Sequence, residues 1–132
     1  MRVVIVGCGR VGSRTAHKLA QAGHDVVVVD SDKDAFSRLR DDFTGTTVSG
    51  NAIEQGTLRR AEADKADVFL AATGGDNRNI MTSQMALTMF RVPKVIARIK
   101  DPERARIYRE LGLEVECRTI SGAEAILERL DL

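Results

Sequence analysis

Residues 3–12 read VVIVGCGRVG, and this stretch decides the fold of the chain. Its apolar start has no polar alternation, which predicts a strand buried on both faces. Three glycines follow at the spacing G-x-G-x-x-G and open a predicted helix from about Arg10 to Ala22. Gly7 suits a tight turn, Gly9 lets a backbone approach a pyrophosphate, and Gly12 allows close packing of helix on strand. The stretch therefore predicts a phosphate site at a helix N-terminus.

A second apolar run, residues 26–29, ends at Asp30. An acidic residue at the end of the second strand typically accepts hydrogen bonds from the ribose hydroxyls of a nucleotide, and its charge repels a 2′-phosphate. NAD is therefore favoured over NADP. ATP, ADP and AMP present the same ribose and at least one phosphate, so Asp30 does not separate them from NAD.

The rest of the chain continues to alternate between strands and helices. Strands are predicted at 44–49, 67–72, 94–99 and 113–117, and helices at 32–42, 54–61, 76–90, 101–111 and 121–130, with Asp76 as a helix cap. This order predicts a single α/β domain over residues 1–132: a doubly wound, Rossmann-like, mostly parallel six-stranded sheet with helices on both faces. Such sheets bind ligands at the carboxyl ends of their strands, which brings Gly9, Asp30, Gly50, Thr73 and Arg98 around one crevice.

Composition excludes several classes of function. The chain has 132 residues, 43% of them apolar and 30% charged, and a net charge of +1, which argues against a general nucleic-acid surface. No apolar stretch approaches the roughly 18 residues that a membrane span needs, and no signal peptide precedes the first strand. We therefore expect a cytoplasmic chain without direct membrane insertion. Cys8 and Cys117 lie in no Cys/His cluster, so neither a metal site nor a disulfide framework is expected.

Catalytic residues are not evident. His17 falls on the polar side of the first helix, His24 lies in the following turn, and Tyr108 has no Tyr-x-x-x-Lys pattern. The chain also has no room for a second domain that would hold a substrate against a nicotinamide. We therefore predict a nucleotide sensor and not an enzyme. The alternative is the cofactor-binding domain of an NAD-dependent dehydrogenase whose substrate domain is missing.

Two side chains near the crevice have alternative roles. Arg10 lies inside the glycine loop and would reach a pyrophosphate or a terminal phosphate, or else be a solvated first-turn arginine. Asn51 follows the third strand and would either bond adenine through its amide or form a turn.

The chain resembles the N-terminal nucleotide-binding domain of potassium-conductance regulators, the RCK or KTN domain of Trk- and Ktr-type uptake systems. The matching stretches, in order, are GCGRVG, VVVVDSD, GNA, TLRRAEADKADVFLAAT, GGDNRNI, ARIKDP and ELGLEVE. The resemblance implies a cytoplasmic regulatory subunit that binds NAD(H) or ATP/ADP. It also implies dimers within a homo-oligomeric ring, located at the inner face of the membrane through a separate potassium channel or transporter subunit, whose flux changes with the bound nucleotide.

The resemblance also implies which residues bind the cofactor. These are Gly7, Gly9, Arg10, Val11 and Gly12 for the phosphates, Asp30 and Ser31 on the ribose side, Asn51 and Ala52 on the adenine side, Thr73, Asp76 and Asn79 in the turn after the fourth strand, and Arg98 at the fifth. No catalytic or metal-binding residue is implied. The family usually has Asp at position 51, and often proline near Arg118-Thr119, so this chain departs from its pattern there.

The last predicted helix has an apolar face formed by Ala123, Ile126, Leu127 and Leu130. This face would pack either on a partner subunit or on the chain's own sheet. Regulators of this kind commonly continue into a C-terminal effector domain, and we expect none within these 132 residues.

Overall fold

The computed structural model describes all residues from 1 to 132, which alternate between strands and helices. The strands are β1 (Arg2–Val6), β2 (Asp25–Asp30), β3 (Thr46–Ser49), β4 (Val68–Ala71), β5 (Lys94–Arg98) and β6 (Glu114–Glu116). The α-helices are α1 (Arg10–Gln21), α2 (Gln55–Arg60), α3 (Asp76–Thr88), α4 (Pro102–Glu110) and α5 (Arg118–Arg129), and two 3-10 helices span Lys33–Arg38 and Ala63–Lys65.

The six strands form one sheet in the order β3-β2-β1-β4-β5-β6, and every neighbouring pair is parallel. The chain builds outward from β1 to β3, then crosses to the other side of β1 and builds from β4 to β6. The strand order therefore reverses between β1 and β4, which is where a ligand crevice is expected in a doubly wound sheet. The predicted fold class is confirmed, and the sheet is entirely parallel.

Side chains alternate across the central strands and fill a core on both faces of the sheet. Val4 and Val6 of β1 pack with Phe69 in a cluster of 17 buried residues, whereas Val3 and Ile5 belong to a second cluster on the opposite face. This two-sided burial explains why β1 and β2 have no polar alternation. A third cluster lies under β5, β6 and α4.

Several predicted elements differ from the structure. The segment predicted as a helix over residues 32–42 is a 3-10 helix over Lys33–Arg38 only. The last helix begins at Arg118, three residues before the predicted start. Asp76 is the first residue of α3, whose N-cap is Gly75, so Asp76 does not act as the predicted cap.

The sequence left two alternatives for the apolar face of the last helix, a partner subunit or the chain's own sheet, and the exposure of α5 decides between them. None of its residues is buried, and Ile126, Leu127 and Leu130 are 61%, 46% and 60% exposed. Packing of this apolar face on the chain's own sheet is therefore wrong. No helix in the structure combines the length and the apolar character that crossing a bilayer requires.

Candidate functional site

A cleft of about 400 Å³ opens at the carboxyl edge of the sheet, where the strand order reverses. Its wall takes residues from the turns that follow β1, β2, β3 and β4 and from the last residue of β5. Among them are Gly9, Asp30, Gly50, Thr73 and Arg98, the five positions that the sequence placed around one crevice. The structure thus brings the predicted turns together.

The glycine loop at the cleft depends on contacts that no side chain would permit. Gly7 has φ +106°, and a Cβ there would lie 2.7 Å from the backbone of Ala72. A Cβ on Gly12 would lie 1.8 Å from the carbonyl oxygen of Gly7. Gly12 therefore sets how closely α1 approaches the loop, and it supports the cleft without lining it.

Gly9 is different, because no protein atom lies within 4 Å of the position that its Cβ would take. It is also the N-cap of α1 and makes no side-chain capping bond. The packing of the protein itself therefore does not require glycine at this position. Space beside the free N–H groups of a helix N-terminus suits the close approach of an anionic ligand.

Asp30 connects the glycine loop to the end of β2. One carboxylate oxygen accepts a hydrogen bond from the backbone N–H of Cys8 (2.8 Å), and the other accepts one from that of Asp32 (2.9 Å). A carboxylate oxygen has room for a second donor, and the side chain is half-buried in the cleft wall. Asp30 can therefore hold the loop and accept further hydrogen bonds from a ligand.

The thiol of Cys8 lies fully buried beneath the loop. Burial raises the pKa of this thiol, the nearby Asp30 charge raises it further, and Arg38 opposes the shift. Cys8 is therefore held as a neutral, small residue of the turn.

Five arginines and two aspartates carry the charge of the cleft. The arginines are Arg10, Arg38, Arg78, Arg98 and Arg118, and the aspartates are Asp30 and Asp32. No arginine of this group forms an ion pair within 4 Å. The cleft therefore has an excess of positive charge, which favours an anionic ligand.

Arg98 is half-buried, whereas the other four arginines of the cleft are exposed. Its guanidinium Nη1 donates to the carbonyl oxygen of Ala72 at 3.5 Å. Burial lowers the pKa of Arg98 and the neighbouring Arg118 lowers it further, while Glu116 and Asp76 partly compensate. Arg98 is thus a partly desolvated cation beside another cation, and an anion in the cleft would stabilise both.

A buried amide fixes the turn that follows β4. The Oδ1 atom of Asn79 accepts from the backbone N–H (2.9 Å) and hydroxyl (2.6 Å) of Thr73, and its Nδ2 donates to the carbonyl oxygens of Thr73 (3.0 Å) and Arg98 (2.8 Å). Asn79 is 1% exposed. It therefore ties the ends of β4 and β5 together beneath the cleft and is not part of the cleft surface.

Asp76 has a similar supporting role on the other side of α3. Its carboxylate accepts from the backbone N–H groups of Lys100 (2.8 Å) and Asp101 (3.2 Å). It thereby holds the turn between β5 and α4 and does not line the cleft.

Asn51 forms the turn that the sequence left as one of two alternatives. Its Oδ1 atom accepts from the backbone N–H of Ile53 at 3.2 Å. The residue still lines the cleft beside Ala52, and no protein group takes up its amide nitrogen. A turn role and a contact with a ligand are compatible in this geometry.

Ten of the thirteen residues predicted to bind a cofactor line the cleft. They are Gly7, Gly9, Arg10, Val11, Asp30, Ser31, Asn51, Ala52, Thr73 and Arg98. Gly12, Asp76 and Asn79 lie behind it and position the turns. The sequence analysis missed Arg38, Arg78 and Arg118, although a start of α5 at Arg118 would have brought that arginine to the carboxyl edge of β6.

His17 does not lie in the cleft and is not solvated. It is 9% exposed, its Nε2 atom accepts from the backbone N–H of Arg40 at 2.8 Å, and its ring packs edge-on against Phe43. His17 does lie on the polar side of α1, beside Arg14 and Lys18, but the segment after the 3-10 helix packs over its ring, so the imidazole has a structural role.

The profile of the TrkA-N domain family matches residues 3–117, from β1 to the residue after β6. The Trk system potassium uptake protein TrkA of Streptomyces coelicolor is 45% identical over 130 residues, which cover 98% of this chain and 58% of that protein. A TrkA homolog of Methanothermobacter thermautotrophicus is 32% identical, over 98% of this chain and 60% of that protein. This chain thus spans a little under two thirds of the length of these relatives. They carry the name of a transport system and not of an enzyme, in agreement with the predicted absence of catalysis.

Solved structures share the fold. The Kef C-terminal domain of Shewanella denitrificans in an AMP-bound form superposes with a TM-score of 0.83 at 22% identity, covering 99% of this chain and 80% of that one. The GsuK RCK domain gives a TM-score of 0.81 at 24% identity, covering 95% of this chain and 27% of that one.

Proposed function

This chain belongs to the TrkA-N domain family, and we propose that it is the nucleotide-sensing part of a regulator of potassium uptake. It binds an adenine nucleotide, NAD(H) or ATP/ADP, in the cleft and has no catalytic activity of its own. The observation that carries this proposal is the cleft itself. It joins an accessible helix N-terminus at Gly9 to the carboxylate of Asp30 and to five arginines without ion-pair partners.

Each part of the nucleotide finds a suitable partner in the cleft. The open backbone at Gly9 and the N-terminus of α1 suit the phosphates, and Arg10, Arg78 and Arg98 supply positive charge. Asp30 retains acceptor capacity for ribose hydroxyls, and Asn51 and Ala52 lie beside it for the adenine side. The AMP-bound state of the Kef domain of similar fold supports an adenine nucleotide here.

Isothermal titration of the domain with ATP, ADP, NADH and NADPH tests the ligand class. We expect ATP, ADP or NADH to bind, and NADPH to bind most weakly because its 2′-phosphate would meet the Asp30 carboxylate. Binding of NADPH alone, or of none of the four, would refute the proposal.

Asp30→Ala should weaken the binding of the best ligand by roughly 1.5–3 kcal/mol, because a charged hydrogen-bond acceptor is lost. Asp34→Ala is the matched control. It removes the same charge four residues away, from an exposed side chain outside the cleft. Equal affinity in the two variants would show that the ligand does not contact Asp30.

The biological setting follows from the family. We propose a cytoplasmic regulatory subunit that assembles as dimers within a ring and acts at the inner face of the membrane on a separate potassium channel or transporter subunit. Nucleotides shift such an assembly only by the difference in their affinity for its states. The relatives named as Trk potassium uptake proteins support this setting.

Growth at low potassium tests the setting in cells that lack their own regulator. The full-length protein should restore growth and potassium uptake, and the full-length Asp30→Ala variant should not do so at an equal protein level. If the wild type and the Asp30→Ala variant both restore growth, potassium uptake does not depend on nucleotide binding at Asp30, and the proposed link between the two is refuted.

A further inference from the structure

A second polar groove runs along the outer face of α1, beside the nucleotide cleft. It has a volume of about 620 Å³ and is lined by seven residues, none of them apolar: Arg10, Ser13, Arg14, His17, Lys18, Arg38 and Arg40. The five α1 residues are spaced three, one, three and one apart, so they form one stripe along the helix. The groove therefore gathers five cationic side chains and no carboxylate.

This grouping is unusual within the chain, which carries nearly equal numbers of basic and acidic residues, 20 and 19. Some cations elsewhere on the surface form ion pairs with acids. Arg2 pairs with Asp25 and Glu62, and Arg106 pairs with residues of its own helix. The five cations of the groove form no ion pair within 4 Å. A concave surface with one sign of charge concentrates anions from solution.

Two of the residues that line the groove, Ser13 and His17, are themselves largely buried. Ser13 is 7% exposed, and its hydroxyl has no hydrogen-bond partner in the protein although it lines the groove. His17 accepts the backbone N–H of Arg40 at 2.8 Å, which fixes the segment carrying Arg40 against α1. The groove is thus preorganised, and it contains a hydroxyl without a protein partner that is available to a ligand.

We propose that this groove is a second site of the domain, for a phosphoryl anion distinct from the phosphates of the cleft nucleotide. Arginine forks and a hydroxyl match the several oxygens of a phosphoryl group better than they match a single carboxylate. Such a group is available from a free polyphosphate or from the headgroup of an anionic lipid. Because Arg10 and Arg38 line both the groove and the cleft, an anion in one weakens the attraction of those arginines for an anion in the other.

The test uses Arg14 and Lys18, which line the groove but not the cleft. The variant Arg14→Gln/Lys18→Gln should bind inorganic tripolyphosphate at least about tenfold more weakly than the wild type, because two charged contacts are lost. The matched control is Arg91→Gln/Arg129→Gln. It removes two exposed cations that have no ion pair and lie outside the groove, and it should bind within about twofold of the wild type.

A vesicle arm identifies the source of the phosphoryl group. Sedimentation with vesicles of phosphatidylcholine and phosphatidylglycerol in equal amounts is compared with vesicles of phosphatidylcholine alone. Capture that depends on the anionic lipid and on Arg14 and Lys18 assigns the site to a headgroup. If only the binding of tripolyphosphate, and not the capture by vesicles, depends on Arg14 and Lys18, the site binds a soluble anion.

Equal binding by the wild type and the Arg14→Gln/Lys18→Gln variant in both arms overturns the proposal. The proposal is also overturned if poly-glutamate binds more strongly than tripolyphosphate and this binding depends on Arg14 and Lys18, because the groove would then be a site for an acidic peptide. Ser13→Ala gives a second readout that leaves the charge unchanged, with an expected loss of about threefold from one hydroxyl contact. Titrating ADP into the same proteins tests the two sites separately. If the proposal for the groove is wrong, ADP still binds; if the proposal for the cleft is wrong, tripolyphosphate still binds and its binding still depends on Arg14 and Lys18.

Discussion

At the scale of single residues, Gly12 determines how closely α1 approaches the glycine loop. A Cβ there would lie 1.8 Å from the Gly7 carbonyl oxygen, and backbone must move to relieve the contact. Gly12→Ala should therefore lower the free energy of unfolding by about 1–3 kcal/mol or more, as overpacking does elsewhere. Urea unfolding followed by circular dichroism measures this change.

Gly56→Ala is the control for Gly12→Ala. Gly56 is an exposed residue of α2, and a Cβ there would meet no atom within 4 Å. We expect this change to be neutral or to stabilise the protein by up to about 1 kcal/mol, because alanine restricts the unfolded chain. A Gly12→Ala protein as stable as Gly56→Ala would contradict the close contact between helix and loop.

Cys8 makes the stability of the fold depend on pH in the alkaline range. Burial raises the pKa of the Cys8 thiol above its ordinary value of 9.0. Above that value the unfolded chain loses the proton while the folded chain keeps it, so the unfolded state binds fewer protons and stability falls as pH rises. The loss begins near the ordinary pKa and ends at the folded-state pKa.

Urea unfolding of the wild type and Cys8→Ala between about pH 7 and pH 10 measures this linkage. The wild type should lose more stability than Cys8→Ala over the alkaline part of the range, since only the wild type carries the titrating thiol. Comparing the slopes of the two proteins cancels the other ionisable groups. Parallel curves would show that the thiol ionises equally in both states.

At the scale of elements, Asn79 joins three of them beneath the cleft: the end of β4, the start of α3 and the end of β5. Its amide makes four hydrogen bonds, to Thr73 and to the carbonyl oxygen of Arg98, from a position that is almost fully buried. Each buried group left unpaired costs roughly 1–3 kcal/mol, so Asn79→Ala should lower the free energy of unfolding by roughly 2–4 kcal/mol.

The control for Asn79 is Gln84→Ala, in the same helix on an exposed side chain that makes no hydrogen bond. This change should alter stability by no more than about 0.5 kcal/mol. Both variants are measured by urea unfolding. A small effect of Asn79→Ala would mean that water or a rearranged turn replaces its four bonds.

The elements also show what could be predicted from the sequence. The strand, glycine turn and helix of residues 3–12 are encoded locally, in an apolar run and a fixed glycine spacing, and so were predicted together with Asp30. The burial of His17 could not be predicted in this way. It depends on a segment 23 residues along the chain, whose backbone N–H at Arg40 donates a hydrogen bond to the imidazole. Arg38 and Arg118 were missed for a related reason. Arg38 is the last residue of a 3-10 helix that the sequence predicted as a longer helix. Arg118 is the first residue of α5, whose start the sequence predicted three residues later.

At the scale of the whole molecule, α5 is the element least integrated into the domain. It begins where the family match ends, and it has no buried residue. Its residues Ile126, Leu127 and Leu130 project an apolar face into solvent. Covering the exposed part of each contributes roughly 1 kcal/mol, which favours association of this face with a second copy of the chain.

Ile126→Glu/Leu130→Glu tests this association by analytical ultracentrifugation. We expect the wild type to form dimers or larger assemblies and the double variant to sediment as a monomer, because two charges would have to be buried in the contact. Leu111→Glu is the control, since Leu111 is a 74% exposed leucine at the end of α4 and should leave the assembly unchanged. ADP binding by the monomeric variant should be preserved, because no residue of the α5 apolar face lines the cleft. A wild type that is monomeric at high concentration, or a double variant that assembles as the wild type does, would show that α5 is not the contact between copies.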